Sequence, residues 1–186
     1  MDERSLPDDR ELVQGLKARS FGAFEQLVSR YEHPLINYCY WKCRDRTRAE
    51  QYFQKVVVEL ALKAADLDER QQLKVQVYQV ARAVLSQPLD EKEDPVAVRS
   101  VLVTGKRTRM SELAALPPAE TERWWKFLHG QVAPDLREVA YLRLFGELDL
   151  EETVKVVGGN PAKWRYALRR LLEQVAALRE KKEEPS

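Results

Sequence analysis

Over residues 135–178, apolar side chains return every three or four positions in three runs, separated by short breaks of glycine, asparagine and proline. That period buries one side of a helix, and it constrains the fold more than any other feature of the chain. Leu136, Val139, Ala140 and Leu142 form the first run, and Leu150, Val154 and Val157 follow after a turn at 146–149. Gly158, Gly159, Asn160 and Pro161 then break the pattern before Trp164, Ala167, Leu168, Leu171, Leu172, Val175 and Leu178. The spacing predicts a helix-turn-helix whose second helix shows Lys163, Arg165, Arg169 and Arg170 on its other side. Such a helix can bury one face and offer the other to a phosphate backbone or a major groove. Asn160 as a cap with Pro161 in the first turn accounts for those two residues without any base contact.

Charge favours the same end of the chain. The net charge is only +1 over 186 residues, low for a freestanding nonspecific nucleic-acid binder, whose affinity rests on phosphate contacts. Residues 158–182 nevertheless carry seven cations against Glu173 and Glu180, a local balance of +5. The stretch to Ser86 holds 14 basic and 13 acidic residues, a balance that suits a protein partner better.

Catalytic chemistry finds no foothold. His33, Cys39, Cys43 and His129 lack a zinc spacing, and Gly158-Gly159 lacks the longer phosphate-cradling pattern with its lysine. No paired carboxylates can be assigned from the sequence. We therefore expect no enzyme, no catalytic residue, no metal and no cofactor. Cys39 and Cys43, four apart in an aromatic helix, are expected as reduced thiols in a core. No run of about 20 apolar residues is present and the first ten residues lack a signal-peptide core, so a cytoplasmic protein without membrane insertion is expected.

The remaining patterns are helical too, giving an all-α expectation of two small helical domains. Leu12, Val13 and Leu16 predict a first helix over 10–17, and Ser20 caps a second bearing Phe21, Phe24, Leu27, Val28 and Tyr31. Pro34 is expected to bend or split that helix. Thr47 and Glu50 match a capping box for a helix running to about Ala65, with Phe53, Val56, Val57 and Leu60 inward. A further helix is expected over 69–85 through Leu73, Val77, Val80, Ala81 and Val84; an alternating strand at 75–80 would have no partner. Pro88, Pro95, an acidic cluster and Gly105 mark a linker. The expected boundaries are 1–87 for the first domain, 88–110 for the linker and 111–182 for the helix-turn-helix domain.

Several segments, in order, resemble a bacterial RNA polymerase sigma factor of the extracytoplasmic-function type. Leu12-Val13, Gly15, Phe21-Gly22-Ala23-Phe24, Leu27 and Arg30-Tyr31 are similar to the opening of its second conserved region. Ala49-Glu50-Gln51-Tyr52-Phe53-Gln54-Lys55 resembles the polymerase-binding helix, and Leu73 through Arg82 the helix leading into promoter melting. Ala114-Ala115-Leu116-Pro117-Pro118-Ala119-Glu120, Leu136-Arg137-Glu138-Val139, Leu150-Glu151-Glu152 and Pro161 through Leu172 resemble the fourth conserved region. The resemblance covers roughly four-fifths of the chain and implies core RNA polymerase and double-stranded promoter DNA as partners. An anti-sigma or other regulatory protein is a further implied partner.

The chain also departs from that pattern. Gln51 and Lys55 stand where the family often has Asp and Glu, reversing the charge expected to meet a basic patch on polymerase. Gln76 takes a position often held by Trp, Ala83 one often held by Asn, and Gln87-Pro88 interrupts the usual polar continuation. Extra sequence around Trp124, Trp125, Lys126 and Phe127 lengthens the back half. Lys163, Arg165, Tyr166, Arg169 and Arg170 are the expected DNA contacts, with Arg170 and also Lys155 weaker members. Glu50, Gln51, Gln54 and Lys55 are the expected polymerase contacts, and Arg44, Arg46 and Arg48 face DNA, acidic protein or solvent. Tyr38, Tyr40 and Trp41 are expected in packing, with base stacking the alternative. Three functions follow: a sigma-like transcription factor, a sigma-derived interaction regulator that has lost promoter opening, or a structural helical protein with no polymerase link.

Overall fold

The computed structural model describes residues 8–89, 126, 129–144 and 146–180. Among the described residues every regular element is helical, and the chain divides into two compact units, Met1–Leu116 and Pro117–Ser186. Most of the expected 88–110 linker, together with Trp124 and Trp125, lies outside the described residues.

The first unit holds α1 (Asp9–Lys17), α2 (Phe21–Cys43), α3 (Arg46–Leu62), a 3-10 turn (Ala64–Asp66) and α4 (Leu73–Leu85). In α1, Asp9 and Glu11 at the start and Lys17 at the end complement the helix dipole, while Leu12, Val13 and Leu16 are buried. Gly15 lets α1 approach α2: a Cβ there would stand 2.7 Å from that of Ala23. Ser20 caps α2 as expected, its side chain accepting from the Ala23 N–H at 3.4 Å. Phe21, however, is 49% exposed, and the first fully buried residue of the helix is Leu27, nearly two turns later.

Pro34 does not split the second helix, which is continuous across it. Leu35, Tyr38, Cys39 and Trp41 are buried on its far side, and that burial outweighs the roughly 3 kcal/mol that an interior proline costs. Tyr38 stacks on Trp41 at 6.0 Å and meets Tyr78 of α4 edge-on at 5.5 Å, so this aromatic group packs the core.

The cap of α3 also differs from expectation. Asp45, two residues before Thr47, accepts the Arg48 N–H at 2.7 Å, and Glu50 pairs with Arg46 at 3.3 Å. A carboxylate holds the first N–H groups better than a threonine further in. The helix then stops at Leu62 in the 3-10 turn. The fourth helix begins at Leu73, four residues later than the pattern implied, because residues 68–71 form a loop held by Gln76.

In the second unit, α5 (Pro134–Leu144), α6 (Leu150–Val157) and α7 (Pro161–Glu180) reproduce the three periodic runs. Val139, Ala140, Tyr141, Leu142 and Leu148 supply the core. Asp149 and Glu152 form a reciprocal capping box on α6, with bonds of 2.8 and 2.6 Å. The buried side of α6 differs from the expected stripe. Glu152, Thr153 and Val156 are the buried residues, while Leu150, Val154 and Val157 are half-buried.

The break before α7 is built on Gly158 (φ +83) and Gly159 (φ +94), a region costly for side-chain-bearing residues. The Asn160 side chain accepts the Ala162 N–H at 2.8 Å, which makes it the helix cap. Trp164 is buried and donates its indole N–H to the Gly158 carbonyl at 2.8 Å, fixing the turn against the helix. Leu171 is buried and Ala167 and Leu168 half-buried, but Leu172 is 57% exposed. Adjacent residues lie about 100° apart around a helix, so Leu171 and Leu172 cannot share a narrow seam. Val175 and Leu178 fall outside the described side chains. Among the described residues no helix is long and apolar enough to cross a membrane.

Candidate functional site

The outward side of α7 gathers all five expected DNA-contacting residues. Lys163, Arg165, Tyr166, Arg169 and Arg170 are exposed, Tyr166 at 63%. Arg165 and Arg169 stand one turn apart, and Tyr166 and Arg170 form the adjoining row. The Arg170 guanidinium lies over the Tyr166 ring at 6.0 Å and donates to its hydroxyl at 3.2 Å, which raises the basicity of Arg170. Lys163 rests over the Trp164 ring at 5.3 Å. Arg169 donates to Glu173 at 3.0 Å, a solvent-exposed pair that is easily exchanged for another anion. Lys155 is exposed on α6. The result is a row of cations held in place by small local contacts, on a helix anchored from behind by Trp164 and Leu171.

The four residues expected to meet polymerase lie on the outer side of α3. Phe53, Val56, Val57 and Leu60 take the inner side and are buried. Gln51 is exposed, and Glu50, Gln54 and Lys55 are half-buried. Helical spacing places Arg48, Gln51 and Lys55 in one row and Arg46, Glu50 and Gln54 in the next. Tyr52 donates its hydroxyl to the Gln87 carbonyl at 3.1 Å, tying α3 to the chain that leaves α4.

Gln76 has a part that the sequence does not reveal. Its side chain is 7% exposed and makes three bonds to one loop: it accepts the Asp68 N–H at 2.7 Å and donates to the carbonyls of Asp68 and Gln71 at 2.9 and 3.0 Å. A position often held by Trp in the resembled family is here a buried loop clasp. Local spacing carries no signal for it, since the partners lie in an irregular segment. The Asp149–Glu152 box and the Asp45 cap, by contrast, were readable as acids just ahead of helical runs.

No group of three or more His, Cys, Asp or Glu residues suited to a metal occurs among the described residues. Cys39 and Cys43 are free thiols. Burial raises both, Cys39 more, so both stay protonated and Cys39 serves as a packed apolar residue. Burial is also the main reason Tyr31 is pushed up to about 12, with Asp9 adding and Arg30 opposing. Beside α1, an open cleft lined by Arg10, Gln14, Lys17, Asp68, Glu69 and Arg70 is crossed by the Lys17–Glu69 pair at 3.2 Å. The Lys17 hydrogen bond holds the Glu69 carboxyl below its ordinary range, with Gln14 helping.

Among the described residues these features define a helical fold of two units, with a cationic helix in one and a mixed polar helix face in the other. No protein-family model and no curated protein matches the sequence. Among solved structures, the chain is similar to CnrH, a sigma factor of the extracytoplasmic-function type, in a structure of its complex with the cytosolic domain of CnrY. The match has a TM-score of 0.66 at 18% identity, over 93% of this chain and 97% of that one. The fold is thus sigma-like, in agreement with the all-helical, two-part expectation.

Proposed function

We propose that this chain is a sigma-like transcription factor that recruits or positions bacterial RNA polymerase core at double-stranded promoter DNA. On this reading, α6 and α7 act as a helix-turn-helix. Lys163, Arg165, Tyr166, Arg169 and Arg170 contact the duplex, while Glu50, Gln51, Gln54 and Lys55 of α3 meet polymerase. The protein works in the cytoplasm by binding and positioning, with no covalent chemistry. The observation that carries the proposal is the outward cation row on α7, within a fold shared with CnrH over most of both chains. Because CnrH was solved with the cytosolic domain of CnrY, we also infer a regulatory protein partner for this chain.

Two measurements test the proposal together. The full chain should co-purify with core polymerase. It should also bind duplex DNA with an affinity that falls steeply with salt, each phosphate contact removed flattening the salt slope by about one. Arg165→Ala and Arg169→Ala should each weaken duplex binding several-fold. Absence of both partners at low salt ends this reading.

A second reading is favoured by the Gln76 clasp. With its amide engaged by the 68–71 loop, α4 offers no aromatic platform at that position for an unstacked base. A sigma-derived interaction regulator without promoter opening would bind a protein partner and leave promoter DNA unmelted. Strand opening by polymerase plus this chain would decide against it.

A further inference from the structure

The corner where α2 gives way to α3 concentrates positive charge, which the Arg46–Glu50 pair at 3.3 Å offsets only in part. Lys42, Arg44, Arg46 and Arg48 are all exposed, four cations in seven residues. The one acid among them, Asp45, has its carboxylate on the Arg48 backbone N–H at 2.7 Å. Lys42 and Arg44 sit favourably at the end of α2, where cations complement the dipole. Arg46 and Arg48 gain nothing from the dipole at the start of α3, where the negative charge is supplied by the capping Asp45. Asp9 and Glu11 open α1 and Glu151 and Glu152 open α6, whereas α2, α4 and α7, like α3, have no acid in the first turn. Arg44 also adopts a left-handed conformation (φ 57), where glycine is the less strained choice.

We propose that this corner docks a short acidic segment of a partner protein, with Arg44, Arg46 and Arg48 as the main anchors and Lys55 extending the row along α3. Lys55 lies seven residues past Arg48 on the same side of the helix, with Gln51 between them to hydrogen-bond a peptide backbone. The site consists of side-chain cations on two helices, and the backbone N–H at the start of α3 is already held by Asp45.

Charge distribution favours a short acidic peptide over a nucleic acid. Residues 42–48 carry +3, while the rest of the stretch to Ser86 carries −2, from 10 cations and 12 acids. A long phosphate chain passing over the corner would meet that acidic remainder, whereas a short segment ends before reaching it. The nearby aromatics offer no open ring for base stacking either. Trp41 is 4% exposed, Lys42 lies over it at 5.5 Å, and Arg44 covers Tyr40 at 5.8 Å. The inference rests on the outer side of α3 being a protein-docking surface, as proposed above. It does not require that α7 bind DNA.

The test uses the full chain and a short fluorescein-labelled oligoglutamate as the probe, followed by fluorescence anisotropy. Combined Arg44→Glu, Arg46→Glu and Arg48→Glu should weaken probe binding about tenfold, with intact helical circular dichroism. Glutamine at the same three positions should give a smaller loss of the same sign. Arg165→Glu with Arg169→Glu on α7 should change probe binding by less than about twofold, while abolishing duplex-DNA binding if the proposed function is correct. Carbodiimide coupling, which joins a glutamate carboxylate to a neighbouring lysine amine, should attach the probe at Lys42 or Lys55. Equal losses in the corner and α7 variants overturn the proposal, as does coupling confined to Lys163. Displacement of the probe from the corner by an oligonucleotide of equal charge would assign the site to phosphate and likewise overturn it. Failure of duplex binding alone touches only the proposed function.

Discussion

Replacing Gln76 with alanine removes a side chain that satisfies three backbone groups of the 68–71 loop at once. Its bonds measure 2.7, 2.9 and 3.0 Å, and the residue is 7% exposed. A hydrogen bond contributes about 1 kcal/mol net, and a buried polar group left unpaired costs about 1–3 kcal/mol. Asp68 is exposed and water can replace part of what is lost, so Gln76→Ala should destabilise the first unit by about 2 kcal/mol rather than the full sum. Urea unfolding of the full chain gives the total, and amide hydrogen exchange gives the location. The Asp68 N–H should lose protection well before the amides in the middle of α4. Gln76→Glu makes the argument sharper. An ionised carboxylate still accepts from the Asp68 N–H but faces two carbonyl oxygens, so this variant should lose stability as pH rises through its carboxyl pKa. A cost below about 0.5 kcal/mol for alanine, with unchanged exchange at Asp68, would refute the clasp and with it the argument that α4 is closed to bases.

The second unit offers a parallel test at its turn. Gly159→Ala combines a φ of +94 with a Cβ only 2.8 Å from the Trp164 indole nitrogen, so the loss should exceed about 1 kcal/mol and appear as altered indole fluorescence on thermal unfolding. Asp45→Ala removes the α3 cap and should cost about 1 kcal/mol by urea titration, whereas Thr47→Ala should cost a few tenths. Tyr31 is pushed up to about 12, so the unfolded chain ionises first. The Tyr31 contribution is therefore fully present below about pH 10 and is lost as pH rises towards 12, by up to roughly 2–3 kcal/mol, so Tyr31→Phe should lessen the loss in alkaline melts and leave the part due to the raised Cys39 and Cys43 thiols.

The helices of 134–180 are legible in the sequence because dense apolar repeats meet residues that can only break them. Gly158 and Gly159 take conformations costly for other residues, and Asn160 supplies the cap. Rotation about the helix axis is less legible. Leu150, Val154 and Val157 carry the apolar period of α6, yet Glu152 and Thr153 are the more buried. Both are polar groups satisfied within one turn, by the Asp149 N–H and the Asp149 carbonyl, so burying them leaves nothing unpaired. A hydrophobicity pattern cannot anticipate that, because it treats every polar residue as one that must reach water. The same blindness applies to Gln76, whose partners become visible only once an irregular loop is folded over it.

Charge has the opposite character. The cations of α7 and of the α2–α3 corner are fully legible as composition, but their side of the helix depends on what anchors the other side. On α7, Trp164 and Leu171 are seven residues apart and define a narrow buried seam. Arg165, Arg169 and Leu172 then fall together on the outside, at intervals of four and three. Leu172 at 57% exposure is therefore part of the same outward surface as the arginines, not a defect of the core. A ligand of that ridge meets two guanidinium groups and an isobutyl group in line, with Tyr166 beside them. That composition suits a surface which sits against phosphates along one edge and a base methyl or sugar along the other. Leu172→Ala should consequently leave the melting temperature nearly unchanged while weakening duplex binding, the reverse of what a core leucine would do.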